Sequence, residues 1–125
     1  MILKISAWAA LVFGLFLAVA EVARNWPNWE WWPFWVVDYI AAALLVAGAL
    51  LVMRHGAAAA RWLTGAWGFA CAMFYASFFS HWGDAIAAHG AVSNRERMLT
   101  TIIGIMFAIT IAGFGASLAG GRARP

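Results

Sequence analysis

Apolar residues occur along this chain in four long runs, separated by short stretches that hold most of the charged residues. Each run has about 20 residues, and a helix of that length rises by about 30 Å, the thickness of the hydrocarbon core of a bilayer. A strand of a membrane barrel would have about ten residues with alternating apolar and polar positions, a pattern that does not occur here. The runs therefore predict four membrane-spanning helices, at about residues 5–24, 33–54, 59–84 and 94–119.

Local signals mark two of the predicted helix ends. Gly56 comes directly after the second apolar run and its basic end, where a glycine cap commonly ends a helix. Ser93 and Glu96 have the S-x-x-E spacing of a capping box, in which each side chain binds a backbone N–H of the other residue. This spacing predicts that the fourth helix begins at Asn94.

The composition agrees with a membrane protein. The chain has 125 residues, enough for one domain, of which 66% are hydrophobic and 10% are charged. Soluble domains have far more charged residues. We therefore predict a single domain over residues 1–125, all-α in class, forming an integral membrane four-helix bundle with short loops. The formal charge of +3 gives no reason to expect a nucleic-acid partner, and the one cysteine, Cys71, excludes a disulfide within the chain.

The charged residues are unevenly divided between the two ends of the predicted helices. With four spans, both termini and the loop after the second helix lie on one side, which has five Lys or Arg residues and no acid. The other side has three arginines and all five acidic residues of the chain. Because short loops rich in Lys and Arg remain in the cytoplasm, we expect a bacterial inner-membrane protein with both termini cytoplasmic.

Small residues recur at every fourth position in three of the predicted helices. Such ridges let helix backbones approach closely in lipid. They predict tight helix packing and, beside the lipid bilayer itself, a partner that is a second copy of the chain or a larger membrane complex. The first ridge is Ser6, Ala10, Gly14 and Ala18, the second is Thr64, Gly68, Ala72, Ala76 and Ser80, and the third is Gly104, Ala108, Ala112, Ala116 and Gly120.

Tryptophan is concentrated between the first two helices, where five of the nine tryptophans fall within residues 26–35. Indole has an apolar body and one N–H donor, so it favours the boundary between lipid and water. Pro27 and Pro33 mark a turn in the same stretch. We expect an interfacial hairpin that covers the outer end of the bundle as a lid formed by Trp29, Trp31, Trp32, Trp35 and Trp82.

Ionisable residues lie beneath this predicted lid. Glu21, Asp38 and His81 each lie about one turn inside the outer end of a different helix, and Asp84 lies just above them. Ionisable residues within a membrane span usually face the interior of a bundle or water, and they often mark functional sites. Carboxylates and an imidazole can bind a divalent metal, hold a cation in transit or relay protons.

These residues also have a purely structural interpretation. Arg24 is three residues after Glu21, a spacing that suits a salt bridge on one helix face. Arg95 and Arg97 lie on the same side of the predicted membrane. On the sequence alone, interfacial salt bridges are the interpretation that we favour, and the residues identify no cofactor, metal or ligand.

Three classes of function are consistent with this sequence. The leading hypothesis is a binding or accessory subunit with an outward-facing acidic and aromatic pocket under the tryptophan-rich loop. The second is a small proton- or cation-coupled transporter or channel that uses Glu21 and Asp38. An enzyme is third, because no nucleophile–base pair or strong metal motif is present.

Overall fold

The computed structural model describes residues 1–26 and 32–122, except for the side chain of Phe34. These residues form helices and turns and no strand, so the predicted all-α class is confirmed for the described part of the chain. The four α-helices are α1 (Ile2–Asn25), α2 (Trp32–His55), α3 (Ala60–Ala87) and α4 (Asn94–Arg122). α1 begins earlier than predicted, and α3 continues beyond residue 84, so Asp84 lies in its last turn.

The junction between α2 and α3 depends on one glycine. Gly56 has φ +60°, in the left-handed region that L side chains rarely adopt, and it follows directly on α2. A short 3₁₀ helix, Gly56–Ala59, then leads into α3. The chain reverses here, and α2 and α3 pack side by side. The predicted glycine cap at Gly56 is therefore confirmed.

The capping box at the start of α4 is also confirmed. The backbone N–H of Glu96 donates to Ser93 Oγ at 3.2 Å, and the backbone N–H of Ser93 donates to Glu96 Oε2 at 3.0 Å. These bonds satisfy two donors that have no partner within the helix. α4 begins at Asn94, as the spacing predicts.

The helices form a bundle in which neighbours in sequence are neighbours in space. α1 packs mainly on α2 and α3 mainly on α4, while contacts of α2 with α3 and of α1 with α4 complete the ring. The diagonal pair α1 and α3 has few contacts. The start of α1 and the end of α4 therefore lie at one end of the bundle, and the 88–93 loop lies at the opposite end.

Trp67 occupies the centre of the bundle and is fully buried. Its indole Nε1 donates to Ser6 Oγ at 3.0 Å, and Ser6 Oγ donates to the backbone carbonyl of Gly113 at 3.1 Å. Phe13 packs against the same ring, with the two centroids 5.7 Å apart. Trp67 thus links α3 to α1 and, through Ser6, to α4, with its polar atom satisfied.

The three small-residue ridges have different surroundings within one chain. Ser6, Ala10 and Gly14 are buried, and a Cβ atom built on Gly14 would lie 3.0 Å from the carbonyl oxygen of Ala42 in α2. The central and outer parts of the second ridge are exposed, as is the centre of the third. Exposed members of these two ridges are Ala72, Ala76, Ser80, Ala108 and Ala112. Close packing within the chain therefore involves the first ridge and the two ends of the third, where Gly104 approaches Phe78 and Gly120 approaches the backbone of Leu3. Self-association stays a prediction.

Three helical segments of the described chain are long and apolar enough to cross a membrane: Ile2–Asn25, Trp35–Ala87 and Asn94–Arg122. The second has 53 residues, more than twice the length of about 20 that one crossing needs, and it covers α2 from Trp35 onward and all of α3.

Candidate functional site

Glu21 is the one buried residue among the charged residues that the structure describes, with 7% of its surface exposed. It lies one turn before the end of α1. Asn25 Nδ2 donates to Glu21 Oε2 at 2.8 Å and to the Glu21 carbonyl oxygen at 2.9 Å. Arg24 Nη1 lies 3.7 Å from Glu21 Oε1, so the salt bridge that the sequence allows is present. The Arg24 side chain is 64% exposed, and solvent therefore screens this pair.

Asp38 faces Glu21 from the second turn of α2. Glu21 and Arg24 both act electrostatically on the Asp38 carboxyl group, with opposite signs. Two carboxylates that line one cavity repel each other, and a cation bound between them would relieve that repulsion.

Glu21, Asp38 and His81 line one cavity of about 190 Å³, here called the inner cavity, at the end of the bundle opposite the chain termini. Arg24 and Ser77 complete its polar lining. The rest of the wall is apolar and comes from α1, α3 and α4, including Leu17, Phe74, Leu99, Ile103 and Met106. The inner cavity thus has apolar walls and an acidic end, where Arg24 offsets part of the negative charge.

Asp84 does not join this group. It lines a second cavity of about 470 Å³, here called the outer cavity, between the end of α3 and the start of α4. His81 and Leu99 line both cavities. Within residues 1–26 and 32–122, no three His, Cys, Asp or Glu side chains are close enough to hold one metal ion. The three residues of the inner cavity therefore share a space without forming a ligand set for a divalent metal.

The predicted tryptophan lid is described only in part. Trp29 and Trp31 fall outside the described residues. Trp32 and Trp82 are exposed, and Trp82 packs at a tilt on Phe78 with centroids 5.8 Å apart. Trp35 is half-buried and meets the ring of Tyr39 edge-on at 5.5 Å. None of Trp32, Trp35 and Trp82 lines the inner cavity, so a lid above it stays a prediction.

Sequence reasoning missed two polar residues of this region. Ser77 lies one turn before His81 on the same face of α3, and that four-residue spacing was a usable signal. Asn25 has the same spacing after Glu21, and its amide orients the carboxylate. No sequence signal marked the apolar lining of the inner cavity, because Met73 and Met106 resemble the other apolar residues of their helices.

Comparison of this chain with protein-family models, with curated proteins and with solved structures finds no match in any of the three.

Proposed function

We propose that this protein is an integral membrane protein with four spans that binds a small organic cation in its inner cavity, as a binding or accessory subunit. Membrane insertion is supported by the outer surface of the bundle. Large apolar side chains follow the outward face of α1 and are half or more exposed at Ile5, Trp8, Val12, Leu15 and Val19. A continuous apolar face of this kind is unfavourable in water and suits lipid.

The orientation rests on the charges. Lys4, Arg54, Arg61 and Arg122 lie at the end of the bundle that holds the chain termini, whereas Glu21, Asp38, Asp84 and Glu96 lie at the other end. The positive-inside rule then puts the termini in the cytoplasm and opens both cavities outward.

The observation that carries the binding function is the lining of the inner cavity. Hydrocarbon walls favour an apolar ligand body, and the Glu21 and Asp38 carboxyl groups at one end favour a positive head group. The lining holds two acidic side chains against the single Arg24 guanidinium, which is itself largely exposed to solvent, so this end favours a cation over an anion. An engineered apolar cavity of about 150 Å³ binds benzene, so a cavity of about 190 Å³ suits a cation slightly larger than benzene.

Benzylammonium, a benzene ring with one aminomethyl cation, is therefore the probe of choice. We expect it to stabilise the purified protein in an uncharged detergent by about 2.7 kcal/mol at one hundred times its Kd. The measurement is a thermal melt over a range of concentrations. Benzyl alcohol, which has the same shape without the charge, should stabilise the protein less, and benzoate should not stabilise it.

The double variant Glu21→Gln, Asp38→Asn removes both charges and keeps the shape, and it should abolish the effect of benzylammonium. Asp84→Asn removes an acid outside the inner cavity and is the matched control, so it should keep the effect. Equal stabilisation by benzylammonium and benzyl alcohol would contradict an acidic recognition site.

A second candidate function is a proton- or cation-coupled transporter, and the contact between Glu21 and Asp38 favours it. In such a transporter, a cation and a proton would bind in turn to the Glu21 and Asp38 carboxyl groups. The two functions differ in one measurement. Proteoliposomes with the protein would accumulate benzyltrimethylammonium, a permanent cation that does not cross hydrocarbon, in response to a pH gradient if it is a transporter, and would only bind it if it is an accessory subunit.

A further inference from the structure

The inner and outer cavities lie next to each other at the end of the bundle opposite the chain termini. His81 and Leu99 line both, so their side chains form the boundary between the two spaces. His81 comes from α3 and Leu99 from α4. Both side chains are half-buried, and His81 forms no hydrogen bond or ion pair with any described residue.

The outer cavity has a larger share of polar residues in its lining than the inner cavity has. Exposed Asp84, Arg95 and Glu96 line it together with the half-buried Thr100. Its floor is ordered, because the capping box at Ser93 and Glu96 joins the first turn of α4 to the 88–93 loop. Two acids against one arginine attract cations from solution, and an electrostatic bias of this kind raises the rate of encounter with a cationic ligand.

We infer that the outer cavity is the aqueous entrance through which a small organic cation reaches the inner cavity, and that the ligand passes between His81 and Leu99. This inference rests on the proposed function. The imidazole has no bond to any described residue that would have to break, so it can change its rotamer when a ligand passes. A charged head group would then remain in a polar environment from the solution to Glu21 and Asp38. Passage through the lipid-facing surface would instead require the cation to enter hydrocarbon.

The test measures water access and needs no ligand. In a Cys71→Ala background, one new thiol is introduced by Ser77→Cys in the inner cavity, or by Ala85→Cys in the outer cavity. Ser77→Cys changes only one atom. The protein is placed in lipid nanodiscs and treated with a trimethylammonium methanethiosulfonate, a permanent cation that does not cross hydrocarbon. Mass spectrometry gives the rate of modification, which requires a hydrated thiolate.

We expect both thiols to react, the thiol at 85 faster than the thiol at 77. Leu99→Trp narrows the boundary and should slow the reaction at 77 by about tenfold or more, whereas His81→Ala widens it and should accelerate that reaction by a similar factor. Ile109→Trp adds the same bulk to an exposed position of α4 that lines neither cavity, and it should change neither rate. Circular dichroism and size-exclusion chromatography of each purified variant show whether it keeps its fold.

Two results would overturn the inference. A thiol at 77 that does not react while the thiol at 85 does would mean that no water path joins the cavities. A reaction at 77 that is indifferent to both Leu99→Trp and His81→Ala would mean that the path lies elsewhere. If Leu99→Trp fails to fold, His81→Ala alone decides between these outcomes. Whether benzylammonium protects the thiol at 77 is a separate measurement. The inference about the entrance can therefore be correct even if benzylammonium does not bind.

Discussion

At the scale of single residues, the bundle depends on an unusually close contact between a large ring and a glycine. Trp67 is fully buried, and its six-membered ring lies directly over the backbone of Gly113. The same indole donates to Ser6 Oγ, so its position is set by a hydrogen bond as well as by packing. A ring held from two sides cannot move away from a new methyl group at low cost.

Gly113→Ala should therefore destabilise the protein by about 1–3 kcal/mol, because a Cβ atom would lie 2.6 Å from Trp67 Cδ2. Gly115→Ala is the matched control on the same helix, since nothing lies within 4 Å of its Cβ position. It should stabilise α4 by about 0.5–1 kcal/mol. Unfolding in a detergent titration, followed by circular dichroism, measures the stability of both variants. Equal changes in stability for Gly113→Ala and Gly115→Ala would mean that the Trp67 contact is not rigid.

At the scale of helices, the positions of the ends are set by short-range chemistry. The capping box orders the start of α4, and the positive φ of Gly56 ends α2 and turns the chain into α3. Neither device depends on the rest of the bundle, since both act through backbone groups within a few residues. The turn at Gly56 also affects the tertiary structure, because it lets α2 and α3 lie side by side.

Gly56→Ala should destabilise the protein by about 1–2 kcal/mol, because an L side chain is strained at φ +60°. Nothing lies within 4 Å of a Cβ atom at this position, so the cost would come from the backbone and not from a clash. Gly65→Ala, an open position inside α3, should have the opposite sign and stabilise by about 0.5–1 kcal/mol. The same detergent titration compares them. If Gly56→Ala left the stability unchanged, the turn would be able to relax to a negative φ.

At the scale of the whole molecule, the basic and acidic groups distinguish the two ends of the bundle. The buried acid, the two cavities and the short 88–93 loop lie at one end, and the termini and the turn at Gly56 lie at the other. The proposed orientation assigns the first end to the outside of the cell. It follows that ligands arriving from outside meet the outer cavity first.

Thiol labelling in cells tests this orientation. In the Cys71→Ala background, Val92→Cys should react with a reagent that cannot cross the membrane, and Ala58→Cys should react only after the membrane is permeabilised. The expectation follows from the positive-inside rule. The two positions lie in the connections at opposite ends of the bundle, so each serves as the control for the other. Labelling at position 58 in intact cells would reverse the proposed orientation.

The number of long helices and most of their ends were predictable from sequence, because length, apolar composition and capping act locally. The positions of Glu21, Asp38 and His81 near one end of their helices were predictable for the same reason, since position along a helix follows from counting residues. What could not be predicted is the direction in which each helix faces. α2 and α3 are apolar on nearly every side, so no amphipathic periodicity distinguishes the buried face from the exposed one.

The tertiary structure therefore decided which of the candidate residues meet. It brings Glu21, Asp38 and His81 to one cavity and assigns Asp84 to another, although all four are near the same end of their helices. It also buries the first ridge of small residues and leaves much of the other two exposed. Each outcome depends on the rotation of a helix about its axis, which is set by contacts with its neighbours, such as those of Trp67 with Ser6 and Gly113. Local sequence determines how far along a helix a residue lies, and only the packing of the helices determines what it faces.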